Sequence, residues 1–91
     1  MKINNKEYNI PELNFNAMCK LEEMGVNFMD MENKTLSTVR GFLALAMDGD
    51  LEMAGNELEQ HLVAGGNVED VVAEIGKAVE ASGFFLALKS Q

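Results

Sequence analysis

Ninety-one residues carrying fifteen acidic and seven basic side chains, a net charge of -8 and a single cysteine describe one small acidic domain with no disulfide framework. Such a surface repels phosphate, and no Lys or Arg stands between Arg40 and Lys77, so the sequence offers no basic patch for nucleic acid or an anionic membrane. No apolar run approaches about eighteen residues and no charged-then-apolar leader opens the chain, which predicts a cytoplasmic protein without a membrane span.

Taken in order, residues 1–10 alternate as a short β-hairpin does. A turn at Asn5-Lys6 would set Ile3 opposite Tyr8 and Met1 opposite Ile10, all on one face. Two strands are not stable alone in water, so that face must lie on a helix. Pro11 ends the strand, and Asn14 or Asn16 can cap a helix that runs to Met24 and stops at Gly25. Its apolar side is Ala17, Met18, Leu21 and Met24, with Leu13 placed to staple onto Met18. Residues 26–34 mix Phe28, Met29 and Met31 with polar neighbours and read as a loop with a turn of helix.

Residues 36–47 are apolar enough to be covered on two sides. Leu36, Val39, Leu43, Ala46 and Met47 form one stripe and Phe42 and Leu45 a second, which predicts a central helix with neighbours on both. Thr35 or Ser37 can cap its start, Asp48-Gly49-Asp50 supplies its stop, and the stem of Arg40 packs at the edge of the stripe. Asp50 caps a third helix over Leu51–Val63 with a stripe of Leu51, Ala54, Gly55, Leu58 and Leu62. After Gly65-Gly66, Asn67 caps a fourth over residues 68–81, whose face is Val68, Val71, Val72, Ile75, Ala78 and Val79. The fold class expected is mainly α, a bundle of about four helices with a short N-terminal hairpin, divided as hairpin 1–10, helical core 14–81 and apolar tail 83–91.

That tail contains Phe84, Phe85, Leu86 and Leu88. Carried on at about 100° per residue, it keeps Leu86 on the buried stripe and swings Phe84 and Leu88 towards the charged side. Either Gly83 ends the helix and the tail folds back as core, or part of it stays out as an interface.

Catalytic chemistry finds little footing. Glu57 and His61 share a helix face, but no second histidine exists to complete a metal site or a nucleophilic triad, and a solvated pair is expected. Cys19 reads as an inert thiol at the edge of a stripe. Asp48, Asp50, Glu52 and Glu59 match acidic places of a calcium loop, yet Met53 stands where that loop turns on glycine. An acid-capped helix is expected there rather than a metal-responsive site. Seven methionines supply adaptable apolar surface or simply fill gaps in a small core.

Four stretches carry a resemblance. KINNKEY from Lys2, FNAMCKLEEMG from Phe15, TLSTVR from Thr35 and EASGFF from Glu80 together resemble the small tail assembly chaperones of long-tailed bacteriophages and prophages. The resemblance implies a helical, non-enzymatic protein, without cofactor or metal, that is absent from the finished virion. It implies binding of the tape measure protein, kept soluble while tail tube subunits assemble around it. Some such proteins have a longer frameshifted form and some self-associate, so a homo-oligomer is an open expectation. Client contacts are expected at Phe84, Phe85, Leu86 and Leu88, and then at Met29 and Met31. The alternative from charge alone is an acidic regulator that occludes a basic partner.

Overall fold

The computed structural model describes residues 1–27, 30–31 and 33–89, and the side chains of Phe85, Leu88 and Lys89 lie outside that description. Its elements are strands β1 (Lys2–Ile3) and β2 (Lys6–Glu7), then helices α1 (Phe15–Glu23), α2 (Thr35–Ala46), α3 (Leu51–Val63), α4 (Val68–Glu80) and α5 (Gly83–Lys89). The architecture is mainly α with a two-stranded antiparallel hairpin at its start. The radius of gyration is 12.5 Å, close to the roughly 12 Å of a compact chain this long.

The hairpin turns one residue earlier than the sequence predicts. Asn4 and Asn5 both have positive φ, at 54° and 65°, the two-residue turn whose twist matches paired strands. Asparagine tolerates that region without glycine. Ile3 therefore pairs with Lys6 and Lys2 with Glu7, while Met1 and Tyr8 exchange hydrogen bonds at 2.7 and 2.8 Å. The slip changes cross-strand partners by two places and so preserves the face. Met1 and Ile3 are buried and Tyr8 and Ile10 half-buried against the helices.

Asn14 caps α1 by accepting from the Ala17 amide at 2.9 Å, and Leu13 and Met18 are both buried in the core. Gly25, at φ 94°, ends the helix and returns the chain so that the Val26 amide reaches the Leu21 carbonyl at 2.9 Å. Val26 then lies over Gly41 of α2, where any Cβ would collide with Val26 Cγ2.

Helix α2 is central, with α1, α3 and α4 packed on it. Val39, Phe42, Leu43 and Ala44 are buried, and full burial of a side chain the size of Phe42 contributes roughly 1.5–3 kcal/mol. Two expectations fail here. Neither Thr35 nor Ser37 caps α2: the N-cap is Lys34, without a side-chain hydrogen bond. Leu36 is 70% exposed rather than core, because it sits in the first turn beside Leu62 on the rim of an open notch. Leu62 is itself exposed. The stop at Asp48-Gly49 has the expected left-handed geometry, and the Gly49 amide closes on the Ala44 carbonyl at 2.7 Å.

Helices α3 and α4 begin where the sequence puts them. Asp50 accepts from the Met53 amide at 3.0 Å and Asn67 from the Asp70 amide at 2.8 Å. Ala54 is buried, and a Cβ built on Gly55 would lie 3.6 Å from Arg40 Cδ, so the arginine stem packs across α3. On α4, Val71 and Ile75 are buried, whereas Val72 of the same predicted stripe is 42% exposed.

Candidate partner-binding surface

Helix α4 ends at Glu80, and a two-residue break redirects the chain into α5. Ser82 is buried at the break and donates its hydroxyl to the Leu13 carbonyl at 2.8 Å, tying the tail to the entry of α1. The Leu86 amide reaches the Ser82 carbonyl at 3.1 Å, the first turn of α5.

This geometry divides the tail between the two readings. Phe84 is half-buried, packs on the core and meets Phe15 edge to face, with centroids 5.4 Å apart at 72°. Phe15 is 64% exposed and Leu86 51% exposed. The expectation that continuation of α4 would bury Leu86 fails, because the break at Ala81-Ser82 rotates α5 out of register with the α4 stripe. Phe85 and Leu88 were also expected contacts, and their side chains lie outside the described residues. Met29 likewise lies outside them.

Met31 is elsewhere, in a groove between α2 and α4. The groove holds about 350 Å³ and is lined by Met31, Thr35, Thr38, Val39, Val72, Ile75, Gly76 and Val79. Val39 and Ile75 are buried floor, and Met31 and Val79 are half-buried walls. Thr38 is only 8% exposed, and its hydroxyl has no hydrogen-bond partner among the described residues. An unmet buried hydroxyl costs about 1–3 kcal/mol. Gly76 stands mid-helix, and a Cβ there would meet no atom of the described residues within 4 Å. The fold therefore gives no steric reason for a residue that costs a helix about 0.5–1 kcal/mol against alanine. Val72, Thr38 and Gly76 escaped sequence reasoning as a group. The usable signals were a glycine inside the cleanest amphipathic helix and a threonine among aliphatic residues of α2.

Glu57 and His61 are not the solvated pair expected. Glu57 is buried and accepts from the Tyr8 hydroxyl, from Asn4 Nδ2 at 2.9 Å and from Lys6 Nζ at 3.3 Å. His61 Nδ1 accepts from the Asn4 amide at 2.9 Å, and Asn4 Nδ2 also reaches Gln60 at 3.0 Å. The hydrogen bond from Tyr8, then that from Asn4, hold the Glu57 carboxyl below the usual carboxylate range; burial opposes them and Lys6 adds to them. Tyr8 is pushed up to about 12, first by that same hydrogen bond, then by burial and the neighbouring negative charge. These bonds from Asn4, Lys6 and Tyr8 to Glu57, Gln60 and His61 seat the hairpin on α3.

Asp50, of the acidic run 48–59, spends its carboxylate on the α3 cap, and residues 51–63 are helix rather than an ion-binding loop. Among the described residues no group of three or more His, Cys, Asp and Glu side chains gathers as metal ligands would. Cys19 is half-buried on α1. A cleft of about 580 Å³ beside the hairpin tip mixes Lys2, Asn4, His61, Asp70, Glu74 and Lys77, a lining of opposed charges that selects no single sign of ligand. Among the described residues no helix is long and apolar enough to cross a membrane. The chain matches no family model, no curated protein and no solved structure.

Proposed function

We propose that this chain is a tail assembly chaperone of a long-tailed phage or prophage: a non-catalytic protein that acts in the host cytoplasm, binds the tape measure protein and keeps it soluble while tail tube subunits assemble. The observation that carries the reading is the exposed apolar side chains of the C-terminal helix and its neighbour: Leu86 is 51% exposed on α5, and Phe15, 64% exposed, packs on Phe84 of the same helix. An isolated exposed apolar residue needs no explanation, but Leu86 on α5 together with Phe15 on the Phe84 side of that helix, on a -8 protein, suits a surface that covers another chain and keeps the complex dispersed. The four sequence stretches that resemble this chaperone family supply the identity of the client. An acidic regulator of a basic partner would act through charge alone and would leave this apolar surface without a role.

Co-expression with a tape measure protein tests the reading. The soluble fraction of that protein should rise several-fold with the wild-type chain and fall back with Leu86→Asp. Because Leu86 is half out of the fold, the substitution should leave the helical circular dichroism unchanged. Equal solubility of the tape measure protein with and without the chain would overturn the assignment.

A further inference from the structure

We propose that the groove between α2 and α4 is a second seat for the client, shaped for an amphipathic helix whose aliphatic ridge is bordered by lysine or arginine. The proposal rests on the binding role assigned above and names the chemistry of the segment bound.

Three independent features meet there. Val72 turns out to solvent from the stripe that should bury it, over a floor of Val39 and Ile75. Among the described residues nothing stands over Gly76 in the middle of α4, and a side chain from an approaching helix fits where a Cβ is missing. The Thr38 hydroxyl lines the groove, nine-tenths buried and without a partner among the described residues. A fold that satisfied only itself would bond that hydroxyl back to its own helix or replace it with valine. A polar side chain or a carbonyl on a seated helix would meet it.

Charge selects the occupant. At about 100° per residue, Glu69 and Glu80 flank Val72 and Gly76 on the solvent side of α4, while Lys77 lies about 140° round from Val72. Glu69 and Glu80 are both exposed and outnumber the exposed Lys34, which precedes Thr35 on the α2 wall. An aliphatic ridge enters the groove, and basic residues beside it reach these carboxylates.

The probe is a labelled peptide of about eighteen residues with Leu and Ile at i, i+3, i+4 and i+7, one Ser in that ridge and Lys on the remaining face, read by fluorescence anisotropy on the full chain. It should bind saturably. The same peptide with Glu for Lys should bind at least about tenfold more weakly, and so should the Lys peptide on Gly76→Leu, which fills the groove. Circular dichroism melts confirm that Gly76→Leu is folded, and Thr38→Val serves as a milder second variant that should also weaken binding. Equal binding to wild type and Gly76→Leu, equal binding of both peptides, or no binding of either would overturn the proposal. So would a dimer in sedimentation that Gly76→Leu dissociates, because the occupant would then be a second copy. Rescue of tape measure solubility that survives Gly76→Leu but fails with Leu86→Asp would remove this seat and leave the chaperone function standing. No rescue at all would remove that function, and the peptide titration would still decide the groove.

Discussion

Helices α2 and α4 each carry a glycine away from their ends, Gly41 and Gly76, and one substitution should move stability in opposite directions at the two. In Gly76→Ala the new Cβ meets no atom of the described residues within 4 Å, so helix propensity acts alone and contributes about 0.8–1.0 kcal/mol. For a domain of this size that raises Tm by roughly 4–8 °C. In Gly41→Ala the propensity gain is the same, but the Cβ enters space held by Val26 Cγ2. Val26 cannot retreat easily: it is buried, and its amide is fixed to Leu21 at 2.9 Å. Overpacking of that kind costs about 1–3 kcal/mol or more, and a contact this close puts it at the upper end, which leaves a net loss of about 2 kcal/mol once propensity is subtracted. Thermal melts by far-UV circular dichroism, with urea midpoints as a second measure, read both signs. Shifts in the same direction would refute the reasoning, and a fall in Tm for Gly76→Ala would mean that the space above α4 is filled.

Tyr8→Phe should cost about 1–2 kcal/mol, because it removes one charge-assisted hydrogen bond but leaves Glu57 with Asn4 and Lys6. It should also change the pH profile. Glu57 is depressed in the folded state, so its contribution is present above the unfolded carboxylate value and lost as pH falls through the folded one, and Tyr8→Phe should flatten that acid limb. Tyr8 is raised to about 12, so wild type should lose stability as pH climbs from about 10 towards that value. The variant should lack that alkaline loss in urea titrations across pH. Thr38→Val, close in shape and free of the unmet hydroxyl, should raise stability by about 1–3 kcal/mol; a loss in a chemical melt would show that the hydroxyl is bonded within the fold.

Helix positions were legible because their stops are local chemistry: Asn14, Asp50 and Asn67 cap as their side chains dictate, and Gly25 and Gly49 turn as only glycine does readily. What a face packs against was not legible. Leu36 and Val72 lie on apolar stripes and stay out, Leu36 on the rim of an open notch with Leu62 and Val72 at the mouth of the groove between α2 and α4, a fact of tertiary arrangement that periodicity does not encode. The burial of Glu57 depends on Tyr8 and Asn4 arriving from the other end of the chain, which no window around α3 contains. The candidate surface was half visible: the sequence singled out Phe84 and Leu86, but not the partition that Ser82 imposes between them, nor the groove whose three informative residues are spread over α2 and α4.

The tether between hairpin and α3 bears on the order of events during folding. Helices α2 and α3 are neighbours in sequence, joined by a turn, and can condense as a local pair, whereas β1 and β2 have too few rungs to persist by themselves. Their polar anchors lie 49 to 57 residues further on, so the hairpin has nowhere to rest until α3 exists, and closing that long loop carries an entropy penalty of its own. Weakened anchors would therefore hasten departure of the hairpin from the finished protein far more than they would delay its assembly.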